Sequence, residues 1–395
     1  MEKILFVWLL LSTIQCALSA EISFRWCALP KEKAKCDDFM KHVNATAQNM
    51  TLTVKASCVD GTDADDCMEK INKGVADLVT LDGGNTYSAG EKYDFRVIVS
   101  EQYGEYDVKY YAVAIVKKAN TGFDLKTLKG KKSCHTQADK NAGWKISVGF
   151  LLRSGIMDPV DCANPYKSYL SASKFFSESC VPRTKCKVSA DVYQKVQNLC
   201  SLCDGPEDDK CTVSSSDYHK EAFKCMKDGK GDVAFVKIEM DSPKPFYDEA
   251  NKTAYQYLCA NGGRMEIGHQ KECNLGASPA HAVVTRKENS DIEDIIKILT
   301  AMSDKYGRKQ TNWNDFQLFN STKYDGGKNL IFKDATTALK GIATDDQSYM
   351  GYLGDVYGKD VKALTSCDHL SSTSTMISPV TAFLLITAVL NALLM

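Results

Sequence analysis

Short apolar runs rich in Val, Ile and Tyr recur along the chain, separated by amphipathic stretches. Ile22 to Leu29, Phe95 to Val99, Tyr110 to Val116, Val233 to Val236 and Ala282 to Thr285 have the length and the β-branched or aromatic content of buried strands. Ser290-Asp-Ile-Glu293 reads as a capping box that opens a helix. The helix puts Ile292, Ile295, Ile296, Leu299 and Met302 on one face and stops at Gly307. Asn141 to Leu152 is predicted as a second helix. Strands alternating with helices predict the α/β class. About 350 residues between the chain's two terminal segments exceed one small core and predict two domains or a two-lobed fold.

The terminal segments change the picture. Lys3 precedes the apolar run Ile4 to Leu11, and Cys16-Ala-Leu-Ser-Ala20 supplies small residues at a cleavage point, so residues 1–20 read as a secretory signal peptide. At the other end, residues 379–395 are apolar and uncharged, shorter than the ~20 residues of a spanning helix and without flanking basic residues. The linker at 367–378 contains the small polar stretch Ser371-Ser-Thr-Ser-Thr375. Small residues, a spacer and an apolar tail make a glycosylphosphatidylinositol (GPI) attachment signal, with Ser366, Ser371 or Ser372 as the acceptor. The expected location is extracellular, on the plasma membrane through a GPI anchor or secreted. Four sequons, at Asn44, Asn49, Asn251 and Asn320, fit a glycosylated exterior.

Composition narrows the partners. With 49 basic and 50 acidic residues the formal charge is −1, which predicts no nucleic acid or acidic polymer. Of 16 cysteines, Cys16 leaves with the signal peptide and fifteen remain. An oxidising compartment pairs most of them and leaves one over. Cys200-Ser-Leu-Cys203 has redox or zinc spacing. Beside Cys180, Cys186 and Cys211 it reads instead as part of a knot of structural bridges.

Several polar residues stand where apolar strands end. Asp82 follows Ala76-Asp-Leu-Val-Thr-Leu and precedes two glycines, the place of an N-cap or turn aspartate. Tyr110 and Tyr111 fall on opposite faces of a strand, so one packs while the other can reach a cleft. Lys131-Lys-Ser-Cys-His-Thr136 runs into a helix start at Lys140-Asn-Ala142-Gly143, where free N–H groups and the positive end of the helix dipole make an anion site. Thr136 adds a hydroxyl and Lys140 a charge. His281, in Ser-Pro-Ala-His281, begins a strand.

Taken together these motifs resemble the transferrin family. The resemblance runs from Arg25-Trp-Cys-Ala to Tyr349-Met-Gly-Tyr-Leu-Gly354. It includes Asp77-Leu-Val-Thr-Leu-Asp82-Gly-Gly, Tyr110-Tyr-Ala-Val-Ala, Gly130-Lys-Lys-Ser-Cys-His-Thr136, Ala142-Gly-Trp, Ala222-Phe-Lys-Cys-Met-Lys-Asp-Gly and Gly231-Asp-Val-Ala-Phe-Val-Lys237, with Phe316-Gln-Leu-Phe and Phe332-Lys-Asp-Ala near the end. Most transferrins have two such lobes, and here there is length for one. The resemblance implies a disulfide-rich lobe over 21–366, built like periplasmic binding proteins from two α/β subdomains with an interdomain cleft. The first takes about 21–108 and 279–345, the second about 109–278. It implies an iron carrier and not an enzyme, a monomer that binds ferric iron with carbonate, and a cell-surface receptor as a further partner. Ferric iron is a hard cation that favours anionic oxygen, and imidazole is an acceptable partner. Acid release is expected below about pH 6, as carbonate and histidine take up protons.

Carried over by position, Asp82 is the carboxylate ligand, Tyr110 a phenolate and His281 the imidazole. Thr136 and the N–H groups of Ala142 and Gly143 form the carbonate cradle. Two positions depart from the family. Lys140 stands where arginine is usual, so the charge is kept and the planar fork is lost. The second tyrosine's position, six residues before Cys225, holds His219, with Tyr218 one residue early. Tyr218 is taken as the ligand, with His219 the open alternative. The resemblance further implies disulfides Cys27–Cys67, Cys36–Cys58, Cys134–Cys225, Cys162–Cys367, Cys180–Cys203, Cys186–Cys211 and Cys259–Cys273, leaving Cys200 unpaired. The alternative function is a binding protein on the same fold, for a small molecule or a protein, whose iron site is lost or weakened. Enzyme readings are set aside, because no nucleophile elbow is present and Cys134, beside His135, is assigned to a disulfide.

Overall fold

The computed structural model describes residues 21–104, 108–215, 217–239 and 249–367. The predicted signal peptide, the Ser371–Thr375 stretch and the apolar tail lie outside these residues. The chain divides into two compact units, Met1–Asp107 with Ala280–Tyr352 and Val108–Pro279 with Leu353–Met395.

In the first unit a four-stranded sheet runs in the order Ala338–Gly341, Arg96–Gln102, Ala282–Thr285, Val79–Leu81. Beside it, Ile22–Ala28 and Val54–Asp60 pair in parallel, and a bridge between Trp26 and Leu78 joins the two. The core gathers Phe24, Trp26 and Phe39 with Ile295, Ile298, Leu299 and Met302 from the helix Ile292–Tyr306. That helix stops at Gly307 as the sequence predicts, but the capping box does not form. Its N-cap is Asp291, whose N–H donates to Asn289 Oδ1 at 2.9 Å, while Ser290 Oγ donates to Asp291 Oδ1 at 3.0 Å. The asparagine two residues upstream competes successfully for the turn.

In the second unit seven strands form a mixed sheet. The long strand Val108–Lys117 pairs antiparallel with Val233–Glu239, Tyr255–Leu258 and Gly276–Pro279. Ser133–His135 then pairs in parallel with Val233–Glu239 and with Ser179–Cys180. Val113, Ile115, Ala234 and Val236 fill the core beneath. The predicted helix from Asn141 is two pieces, a π-helical turn Asn141–Ile146 leading into an α-helix Ser147–Arg153. Apolar periodicity does not distinguish the two, because six residues make little more than one turn and are too few to show the wider period of π winding.

Six of the implied disulfides are present, from Cys27–Cys67 to Cys259–Cys273. The seventh differs. Cys211 pairs with Cys200, not Cys186, and Cys186 is an exposed free thiol. Chain path decides this. The backbone of Arg183 hydrogen-bonds to Cys211, and the short helical turn after it carries Cys186 outward, while Cys200 lies 4.8 Å from Cys211 between Cα atoms.

Candidate functional site

The candidate residues fall into two sets, one in each unit. In the first unit Ala282 stands opposite Leu81, and Val283 opposite Thr80. Continuing that antiparallel register by one step makes Asp82 and His281 the next cross-strand pair. Both line a cleft of about 140 Å³ with Glu32, Glu101 and Lys333. Asp82 has extended backbone and caps the helix Gly83–Tyr93, accepting the Asn85 N–H on Oδ1 at 2.9 Å. The N-cap reading is therefore correct, and it is compatible with a ligand role, because a capping carboxylate spends one oxygen and keeps the other.

His281 is held at both backbone atoms. Its carbonyl accepts the Glu101 N–H at 2.8 Å, and its own N–H points to the Tyr103 hydroxyl at 3.5 Å. That hydroxyl donates to Glu101 Oε2 at 3.0 Å. The same carboxylate oxygen takes the Lys333 N–H at 3.1 Å and the Thr336 hydroxyl. Burial next to the Glu101 charge pushes the Tyr103 hydroxyl far above its ordinary pKa. Glu32 accepts N–H groups from Leu29 and Ile331, and burial raises its carboxyl above the usual range. Sequence reading missed Glu101 and Tyr103. The available signal was a carboxylate inside a strand whose other interior residues are buried.

In the second unit the anion-site candidates converge. Thr136 is buried, and its Oγ1 has no hydrogen-bond partner among the described residues. It sits against Gly143, where an added Cβ would lie 2.0 Å from Thr136 Oγ1 and 2.7 Å from Thr136 N. Only glycine lets the hydroxyl and the helical turn approach this closely. The turn begins at Asn141 with no side-chain cap. The N–H groups of Ala142 and Gly143 therefore have no intrahelical acceptor, since the first bonds back to Lys140 come from Trp144 and Lys145 at 2.9 and 3.0 Å. A buried hydroxyl beside unmatched N–H donors suits a small oxyanion. Lys140 stands at the N-cap, exposed, with no ion pair among the described residues.

His135, which sequence reading set aside, holds this turn in place. It is buried, with Nδ1 2.7 Å from the Gly143 carbonyl and Nε2 2.9 Å from Ser133 Oγ. Burial lowers its pKa to about 4, against the opposing hydrogen bond to Gly143, so the ring is neutral. The Gly143 carbonyl accepts from Nδ1–H, which leaves Nε2 to accept from Ser133.

The two strand tyrosines divide as alternation requires. Tyr111 packs on the core of the second unit. Tyr110 lies on the other face, with the Lys237 ammonium 5.6 Å from its ring centroid. Past Phe235 the parallel pairing of Val233–Glu239 with Ser133–His135 ends, and the Lys237 N–H donates to His219 Nδ1 at 3.2 Å. Burial, helped by the Lys237 charge, lowers the His219 pKa to about 4. A neutral ring that accepts on Nδ1 carries its proton on Nε2, so His219 as it stands presents a donor there and no lone pair. Tyr218 opens the helix Tyr218–Lys227, half-exposed, and its hydroxyl has no hydrogen-bond partner among the described residues. Among those residues no group of three or more His, Cys, Asp or Glu side chains is arranged to hold a metal.

Relatives give these features a family. The Transferrin family profile matches residues 24–366. This chain belongs to the transferrin family. It is 40% identical over 357 residues to the serotransferrin of Paralichthys olivaceus, covering 86% of this chain and 47% of that protein. It is 37% identical over 363 residues to the lactotransferrin of Camelus dromedarius, covering 88% and 47%, and 35% identical over 354 residues to that of Homo sapiens, covering 87% and 46%. The chain spans about half the length of the curated relatives it matches.

Proposed function

We propose that this transferrin-family chain binds ferric iron together with carbonate, outside the cell, for iron capture, transport or sequestration. Asp82, Tyr110, Tyr218 and His281 are the proposed metal ligands. Thr136, Lys140 and the N–H groups of Ala142 and Gly143 are the proposed carbonate partners. The observation that carries the reading is the buried Thr136 hydroxyl without a partner, pressed against a glycine at an uncapped helical turn. An unsatisfied buried polar atom costs about 1–3 kcal/mol, a cost that a bound oxyanion would offset. Tyr218 is preferred to His219 because its phenol can supply an anionic oxygen, whereas the His219 ring already accepts a backbone N–H.

A second reading rests on the exposed Lys140 and on His219. The same fold could hold another ligand with iron weakened or absent. One titration separates the two. The secreted protein is titrated with ferric nitrilotriacetate, with and without bicarbonate, and followed by visible absorbance. A bicarbonate-dependent phenolate-to-iron band saturating at one iron per chain supports the first reading. No band in either condition rejects it in favour of the second. Thr136→Val sharpens the result. Removing the unpartnered hydroxyl should leave thermal stability unchanged or slightly raised, while weakening bicarbonate about tenfold, the worth of one hydrogen bond. Attachment through a GPI anchor is part of the proposal, tested by release of the protein from cells with a phosphatidylinositol-specific phospholipase.

A further inference from the structure

The four sequons are not equivalent in the folded chain. Asn44 lies within the helix Lys33–Asn49. Its Oδ1 accepts the Ala56 N–H at 3.0 Å, and its Nδ2 points to the Ala56 carbonyl at 3.4 Å. Thr46, the hydroxyl residue of that sequon, is buried. A sugar on Nδ2 would stand where Ala56 pairs, so a chain modified there loses its helix-to-strand contact. Asn320 is half-buried, and both ends of its amide are engaged. Nδ2 donates to Gln317 Oε1 at 2.7 Å, and Oδ1 accepts the Thr322 N–H at 3.0 Å and the Thr322 hydroxyl at 2.9 Å.

Asn251 differs from both in its exposure. Asn251, Lys252 and Thr253 are all exposed on the 3-10 helix Glu249–Ala254. Asn251 also lines a groove of about 390 Å³ in the second unit, within the range that holds small organic ligands. Phe223 and Tyr255, edge to face at 4.9 Å, form part of its lining, and Lys220, Lys224 and Lys227 edge it along one face of the helix Tyr218–Lys227. Aromatic carbon meets the apolar C–H faces of pyranose rings, and ammonium groups donate to hydroxyl and acetamide oxygens.

We propose that Asn251 carries an N-linked glycan whose first sugars seat in the groove lined by Phe223 and Tyr255, and that Asn44 remains unmodified in the secreted protein. The transferring enzyme acts on the nascent chain, so the selection at Asn44 is made by folding: chains modified there fail to form the Ala56 pairing. This proposal does not depend on iron.

Glycopeptide mass spectrometry of the full chain secreted from animal cells tests the assignment. Occupied Asn251 with bare Asn44 is expected. An unmodified Asn251, or a glycan on Asn44, overturns it. The seat is tested on the native protein with peptide N-glycosidase, comparing Asn251 with Asn49, an exposed sequon at a helix end. Release at Asn251 should be at least about tenfold slower than at Asn49, and the difference should vanish after denaturation. Equal release from the native protein overturns the seated glycan. Asn251→Gln should lower Tm by about 1–2 °C, the scale of a ~1 kcal/mol loss in a chain this long, and Asn49→Gln should leave it unchanged. Equal effects of the two substitutions count against the seat.

Discussion

The two sets of candidate residues, one in each unit, are positioned by opposite means. In the first unit, Asp82 and His281 are set by regular structure: two antiparallel strands end at the same level and the next residue of each lines one cleft. In the second, Thr136, Ala142 and Gly143 are set by irregular structure. The device there is a π-helical turn, a left-handed Asp139 with φ 61°, a close hydroxyl–glycine contact, and a buried histidine holding the turn's carbonyl. Regular structure tolerates substitution at the site because the ladder hydrogen bonds do not depend on it. Irregular structure does not, because the site residues are themselves the scaffold.

The largest test of that contrast is Gly143→Ala. The new Cβ collides with both side chain and backbone of Thr136. We expect about 1–3 kcal/mol of lost stability from overpacking and a fall of at least about a hundredfold in bicarbonate-dependent iron retention, read by absorbance and chelator competition. Next is pH. His135 is neutral in the folded chain down to about pH 4, while in the unfolded chain it titrates near its ordinary value. Between about pH 6.5 and 4 the unfolded state therefore binds a proton the folded state refuses. This contribution to stability is complete above that window and falls by ~3 kcal/mol as pH drops through it. Denaturant midpoints against pH should show the slope, reduced in His135→Gln; an unchanged slope would remove His135 as its cause.

Asp82→Asn is the counterpart in the first unit. Asparagine caps a helix about as well as aspartate, so Tm should move by less than ~0.5 kcal/mol equivalent. Iron retention should fall about tenfold to a hundredfold with the lost anionic oxygen. A large drop in Tm would make Asp82 structural first. The smallest effect is Lys140→Arg. A planar fork replaces a point charge at an exposed position, and bicarbonate affinity should rise a few-fold, worth less than ~1 kcal/mol.

The same contrast explains what the sequence reveals. The strands are legible because Val, Ile and Tyr runs betray burial, and Ala282–Thr285 lies where its apolar run predicts. Asp82 is legible as a cap because an acidic residue before two glycines after a strand has few other roles. The helix from Asn141 is legible as a helix but not as a π-turn, since six residues are too few to show a different period. The partner of Cys211 is not legible, because Cys186 and Cys200 are both within reach along the chain and only the path after Arg183 excludes one. Glu101 and Tyr103 escape notice, and His135 is weighed only as half of a catalytic pair, for a related reason: each acts through a backbone atom of another residue, and such contacts leave no spacing pattern.

The disulfide Cys162–Cys367 closes over 205 residues, just beyond the helix Asp355–Ala363. That helix meets the anion-site turn directly, the Tyr357 hydroxyl donating to Asn141 Oδ1 at 3.2 Å. In mechanical terms the bridge is a strain relief. Whatever segment follows Cys367, a pull on it is delivered through covalent bonds to Cys162, and the helix behind the bridge is spared the peeling load. A chain tugged beyond Cys367 would keep the Asn141–Ile146 turn in register.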